Sequence, residues 1–310
     1  MRSFKFLSAF LIVMIACGGK SNIAMAASRN RTCIYCNKNK SINEFPGGGN
    51  ICNRCLKDRN KDNDKKTPQP KKQPRTCAQC GATITGKGTM CETCRTRKQQ
   101  EEREKEIIDN YVNNMVFVEG GTFSMGGKSL WVSSFSIGKT EVTQELWCAV
   151  MGSNPSRFSG NKLPVENVSW EDCHRFITEL NKRTGRNFRL PKEAEWEFAA
   201  RGGNKSLGFM YSGAGSVADV AWFQENSGHS THEVAEKRTN ELGLSDMSGN
   251  VWEWCDDHWY SYDDRSATSD EYVCRGGSWR NPKELNSVSY RISFPGYTSR
   301  EDIGFRLACW

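Results

Sequence analysis

Eight cysteines in the first third of the chain stand as four Cys-x-x-Cys pairs: Cys33 with Cys36, Cys52 with Cys55, Cys77 with Cys80, and Cys91 with Cys94. A Cys-x-x-Cys turn aims two sulfurs at one point, and two such turns complete the tetrahedron that zinc takes. The pairs group into two units, with 15 residues between the pairs of the first and 10 between those of the second. Both units open on the same phrase, Arg31-Thr-Cys-Ile-Tyr-Cys36 and Arg75-Thr-Cys-Ala-Gln-Cys80, so the segment is an internal duplication. Each unit spans only about 20 residues, well below the size at which a hydrophobic core suffices without a metal or a disulfide. The expectation is one zinc ion per unit. The alternative is disulfide pairing, which an oxidising compartment favours.

Both units resemble zinc ribbons, at 29–60 and 75–94, and the elements around them follow from composition. Residues 61–74 are rich in Lys, Asp, Gln and Pro and too poor in apolar side chains to order themselves, a linker. Residues 95–114 alternate Glu with Lys and Arg and offer only Ile107, Ile108, Tyr111 and Val112 as apolar contacts, which predicts a solvent-exposed helical stalk. Ahead of the first unit, Arg2 and Lys5 precede an apolar run from Phe6 to Ala16, the pattern of a secretory signal over 1–26. Two cleavage readings compete there: Ile15-Ala16-Cys17-Gly18 resembles a bacterial lipobox that would leave a lipid on Cys17 after removal of 1–16, while Ala24-Met25-Ala26 suits ordinary signal peptidase. Residues 1–110 hold 22 Lys+Arg against 10 Asp+Glu, and the rest of the chain 21 against 26. The basic excess is therefore N-terminal, but it is interleaved with acids, so no nucleic-acid partner is expected.

Residues 115–310 carry all ten tryptophans. They also carry an ordered series of motifs: Gly138-Lys-Thr-Glu-Val-Thr143, Asn154-Pro-Ser156, Leu163-Pro-Val165, Val168-Ser-Trp170, Arg189-Leu-Pro191, Glu193-Ala-Glu-Trp-Glu197, Asp246-Met-Ser-Gly-Asn-Val-Trp-Glu-Trp254, Arg275-Gly-Gly-Ser-Trp279 and Gly304-Phe-Arg306. The series resembles the formylglycine-generating enzyme (sulfatase-modifying factor) family. That resemblance implies a single irregular α+β domain related to C-type lectins, with little regular secondary structure. It also implies a copper oxidase that holds Cu(I) between two thiolates, two and seven residues after the aromatic residue of the Gly-Gly-Ser-aromatic turn. Counted from Trp279, those positions are Asn281 and Asn286. Cu(I) is a soft ion that selects sulfur, and an amide oxygen is a hard neutral donor. No copper is expected, and no catalytic residues are assigned. The resemblance further implies one calcium ion on the carboxylates of Asp246 and Glu253 and the backbone carbonyls of Gly249 and Val251, a set of hard oxygen donors. The other reading of Glu253 is a buried carboxylate satisfied by backbone donors or an arginine.

Local patterns within the domain are legible without the family. Ser169 and Asp172 have capping-box spacing ahead of Cys173, Phe176, Ile177 and Leu180 at helical intervals, and Gly185 supplies the stop. A second helix is expected from Pro191 to before Gly202, with Lys192 where the family has Thr; a missing hydroxyl cap costs roughly 1 kcal/mol. Alternation in Val251-Trp252-Glu253-Trp254 predicts a strand with one buried face. For Cys255 and Cys274 a disulfide is favoured over a relocated copper pair, within an odd set completed by Cys148, Cys173 and Cys309 whose connectivity the sequence does not assign. The whole reads as an exported envelope protein, lipid-anchored or soluble, whose large domain is a non-catalytic binding or assembly module for an envelope protein or glycan. The competing reading is an active oxidase acting on sulfatase Cys or Ser.

Overall fold

The computed structural model describes residues 30–32, 36–41, 51, 53–55, 75–84, 88–261 and 269–310. The signal segment 1–26 with Cys17, the linker 61–74, and Cys33 and Cys52 lie outside the described residues. The chain divides into two units, Met1–Pro74 and Arg75–Trp310. In the first, β1 (Asn30–Thr32) and β2 (Asn39–Ser41) form an antiparallel hairpin with Asn30 opposite Ser41. Cys36, Ile51 and Cys55 are half-buried in this unit.

The second unit opens on a small knuckle. Strands β3 (Arg75–Thr76) and β4 (Thr83–Ile84) pair antiparallel, and the chain then enters α1 (Glu92–Asn113). The helix begins inside the second cysteine unit, three residues ahead of the expected stalk, because Cys91 serves as its N-cap and accepts the Cys94 N–H on sulfur. Its first turns are exposed. The last two are not, which corrects the solvent-exposed stalk: Ile108 and Val112 are buried in the core of the large domain, and the Tyr111 hydroxyl donates to the Thr140 carbonyl at 3.3 Å. Glu104 extends the contact with an ion pair to Arg183.

The large domain continues through β5 (Met115–Val118), β6 (Gly121–Met125), β7 (Lys128–Val132), β8 (Phe135–Gly138), α2 (Gln144–Met151), α3 (Trp170–Thr184), β9 (Phe188–Arg189), α4 (Glu193–Ala200) and α5 (Val217–Val220). A loop-rich stretch then leads to β10 (Trp252–His258), β11 (Glu271–Arg275), β12 (Arg291–Pro295), β13 (Ile303–Gly304) and β14 (Ala308–Cys309). Two four-stranded sheets result, ordered β5-β8-β14-β9 and β12-β11-β10-β13, with β6-β7 as a separate ribbon. This is the irregular α+β architecture that the motif series implies.

Helix α3 forms as its sequence predicts. Ser169 Oγ accepts the Asp172 N–H, Asp172 Oδ2 accepts the Ser169 N–H, and Gly185 closes the helix at φ 68°. Helix α4 starts without a side-chain cap from Lys192. Two carboxylates substitute for it: Glu195 accepts the Lys192 N–H at 2.8 Å, and Asp257 of β10 accepts the Glu193 N–H at 2.6 Å. A negative group at a helix start also favours the macrodipole, which accounts for the tolerance of lysine there.

Strand β10 is buried on both faces over Trp252 to Cys255, rather than on one. Trp252 and Trp254 join Trp147, Phe176 and Phe305 in one core, where Trp147 stacks on Phe176 at 5.1 Å. Cys255 faces the other core with Trp196, Phe198 and Ile137. The two faces explain why the expected Cys255–Cys274 disulfide does not form. Trp254, not Cys255, lies opposite Cys274, so the two sulfurs sit on opposite sides of the sheet. Burial pushes both thiols well above their ordinary range, as suits inert core cysteines.

Candidate functional site

Three constellations carry chemistry. In the knuckle, the sulfurs of Cys77, Cys80, Cys91 and Cys94 all lie within 4.8 Å of one another, with Cys80 and Cys91 at 3.6 Å. A tetrahedron of sulfurs about 2.3 Å from a central ion has edges of about 3.8 Å, whereas a disulfide requires about 2.0 Å. The four therefore form a cage able to hold a metal ion. Backbone N–H groups of Cys91 and Cys80 draw the Cys77 thiol down to about 6, and hydrogen bonds with the Cys80 and Cys91 sulfurs push Cys94 up to about 12. Protons shared in this way are what a cation displaces when thiolates bind it.

The second constellation is the turn after β11. Gly277 has φ 79°, and a Cβ there would meet Asn286 Oδ1 at 2.3 Å, so the Gly-Gly turn packs directly on Asn286. Asn281 and Asn286 are brought together, as the family geometry implies for its two metal-holding positions. Asn286 is fully buried and donates from Nδ2 to the Pro282 carbonyl at 2.9 Å and the Asn281 carbonyl at 3.4 Å. Asn281 Oδ1 accepts from Ser278 Oγ, and its carbonyl accepts the Gln224 N–H at 3.0 Å. The Asn286 Nδ2 and Asn281 Oδ1 groups hold the loop, while the buried Asn286 Oδ1 is left without a hydrogen-bond partner. Hard neutral oxygens in place of thiolates do not fit Cu(I).

The third is a cluster of buried carboxylates. Glu253 accepts from Arg306 at 2.6 Å on each oxygen and from Trp196 Nε1 at 2.7 Å. Arg306 also donates to the carbonyls of Gly138 and Ser245, both at 3.0 Å, which brings the neighbouring Asp246 to the same place. Glu141 accepts from Asn250 Nδ2 at 3.0 Å and from the Val251 N–H at 3.3 Å, and Asp246 accepts the Ala235 N–H at 2.7 Å. Three carboxylates thus share one guanidinium in a site closed to water. Burial, then Asp246 and Glu253, push Glu141 well above the usual carboxylate range, and burial pushes Asp246 up to about 6. Buried carboxylate oxygens are the donor type that calcium takes, but Glu253 is held by Arg306 and Trp196, as the alternative reading of that residue has it. Gly249, at φ 81°, packs so closely that a Cβ would meet the Trp222 carbonyl at 2.4 Å. Glu253 already accepts three hydrogen bonds, which leaves it about one of its four lone-pair sites.

The geometry agrees with comparison to known proteins. Residues 99–309 match the sulfatase-modifying factor enzyme 1-like domain. The chain belongs to that family. Chaperone protein LppX of Paenibacillus barcinonensis is 35% identical over 63% of this chain and 89% of its own length. Inactive C-alpha-formylglycine-generating enzyme 2 of Bos taurus is 31% identical, over 47% of this chain and 50% of its own length. The solved structure of Treponema denticola variable protein 1 superposes with a TM-score of 0.57 at 31% identity, covering 63% of this chain and 94% of that one. The match begins within α1, in accord with the burial of that helix's last turns against the sulfatase-modifying factor domain.

Glu141 and Arg306 complete the carboxylate cluster, and sequence reading had given neither a site role. The available signal was a charged residue set among core residues, Glu141 beside Val142 and Arg306 between Phe305 and Leu307. Such charges are almost never fully buried unless paired.

Proposed function

We propose that this is an exported envelope protein whose sulfatase-modifying factor domain is a non-catalytic binding or assembly module, carried behind two zinc-holding cysteine units. The observation that carries the reading is the pair of amides at Asn281 and Asn286, with the Asn286 side chain buried and committed to the Pro282 carbonyl. The likeness to a bovine relative described as inactive supports it. The apolar segment Phe6–Ala16 with Cys17 supports export and a lipid anchor, as does the likeness to LppX. Among the described residues no helix is long and apolar enough to cross a membrane. The module's partner is an envelope protein or glycan.

The deciding experiment incubates the full chain, loaded with Cu(I), with a Cys-containing sulfatase peptide and assays aldehyde by mass spectrometry. No aldehyde above the uncatalysed background is expected. Appreciable turnover would establish the oxidase reading instead.

Calcium belongs to the same proposal, held through Asp246 and Glu253 with the carbonyls of Gly249 and Val251 and balanced by Glu141. Saturation at about a hundred times the dissociation constant stabilises a fold by about 2.7 kcal/mol, which for a domain near 200 residues raises Tm by about 5–10 °C. Calcium titrated into the zinc-loaded chain is expected to give that rise. A melting midpoint indifferent to calcium would remove the ion from the account.

A further inference from the structure

A cleft of about 530 Å³ opens beside the Trp279–Asn281 turn, lined by Arg157, Asn167, Arg280, Ser299, Arg300 and Glu301. Its three arginines come from segments far apart in the sequence. Arg300 is committed, with a two-pronged bond to the buried Asp302 at 2.9 and 3.1 Å. Arg157 and Arg280 are not. Each gives one N–H to Glu301, Arg157 to one carboxylate oxygen and Arg280 to the other, the latter at 3.3 Å. Their side chains remain 62% and 43% exposed, and Arg280 Nε also stands 3.9 Å from Asp302. Aromatic faces back both: Arg157 lies over Phe158 at 5.5 Å and Arg280 over Trp279 at 5.4 Å, and these two rings meet edge to face.

Stability does not account for this gathering. Exposed ion pairs contribute little, and three guanidiniums gathered at one opening repel one another. What the arrangement does provide is a rigid pair of forks shaped to a carboxylate, and Glu301, 24% exposed, shows how such a group sits there. We infer that the Arg157–Arg280 cleft is a docking site for an acidic peptide segment of a partner, whose Asp or Glu side chain takes the donors that Glu301 now shares. The occupant of the forks in the free protein is itself a glutamate side chain, which favours peptide over the uronate of an acidic glycan. The inference deepens the binding-module reading, yet peptide titration and the aldehyde assay read different sites and fail independently.

The test titrates the full chain with a fluorescent hexaglutamate peptide, with hexaglutamine and polygalacturonate as the other arms. Hexaglutamate is expected to bind with an affinity that falls as salt rises, and hexaglutamine is not expected to bind. The Arg157→Ala/Arg280→Ala double variant should weaken hexaglutamate at least tenfold while Tm stays near that of the parent. Glu301→Gln, which removes the internal competitor and keeps both arginines, should tighten it several-fold. Equal binding of hexaglutamine, or indifference to the double variant, would overturn the site. Binding of polygalacturonate alone through the same arginines would overturn the peptide as its occupant.

Discussion

Serine in place of Cys94 should strip one zinc equivalent from the full chain and unwind the exposed turns of α1. The expected content falls from about two ions per chain to about one, since each four-cysteine unit has a single tetrahedron of donors. The helical consequence follows from where the ligands sit. Cys91 is the N-cap of α1 and Cys94 lies in its first turn, so two of the four sulfurs belong to the helix start. Thiolates there also face the positive end of a 22-residue helix. Beyond them, the first half of α1 has only surface pairs to support it, such as Gln100 with Glu104 and Lys98 with Glu102. An isolated helical segment of that length is marginal in water because nucleation is unfavourable. The second half is anchored separately by Ile108, Tyr111 and Val112. Hydrogen exchange should therefore show protection lost across residues 92–104 and kept across 107–113, both in Cys94→Ser and in chelated parent protein. A chain that carries no metal as purified, or protection at 92–104 that survives chelation, would return the knuckle to the disulfide reading.

How much of this was legible in the sequence depends on the range over which each feature is encoded. The α3 cap and its buried face are local: Ser169, Asp172 and the spacing of Cys173, Phe176, Ile177 and Leu180 specify them within one segment. The knuckle is likewise local, because a Cys-x-x-Cys turn fixes its own geometry. The placement of Asn281 beside Asn286 also followed, through the family's motif series. Features that depend on which strands become neighbours did not. Cys255 and Cys274 look like partners until register places Trp254 opposite Cys274 and turns Cys255 to the other core. The substitution of Asp257 for a hydroxyl cap on α4 joins residues 64 apart. The exposed-stalk expectation failed for the same reason, since nothing in residues 95–114 announces that α2 and the β14 region will receive Ile108 and Tyr111. The arginine cleft is assembled from residues 157, 280 and 300, whose convergence only the fold reveals.

Arg306→Met should destabilise the domain by about 3–5 kcal/mol, the cost of leaving a buried charge without its partner. For a domain near 200 residues that lowers Tm by roughly 6–20 °C. The size of the effect comes from the imbalance already present. Arg306 is bonded to Glu253 on both oxygens, and the buried Glu141 and Asp246 stand in the same closed site. Its donors also satisfy the Gly138 and Ser245 carbonyls, so methionine leaves two acceptors unpaired besides the carboxylate. Glu253→Gln alone should cost less, because the amide still accepts from Trp196 and Arg306 retains its carbonyl partners and the nearby Glu141. The double variant Arg306→Met/Glu253→Gln then separates two contributions. If the unpaired carboxylate dominates, the second substitution recovers a large part of the loss, and the two are strongly non-additive. If the unmade carbonyl bonds dominate, the double variant is no more stable than Arg306→Met. Denaturant midpoints of the four proteins decide between them, and a fall below about 1 kcal/mol for Arg306→Met would show that the carboxylates are not charged together in the folded domain.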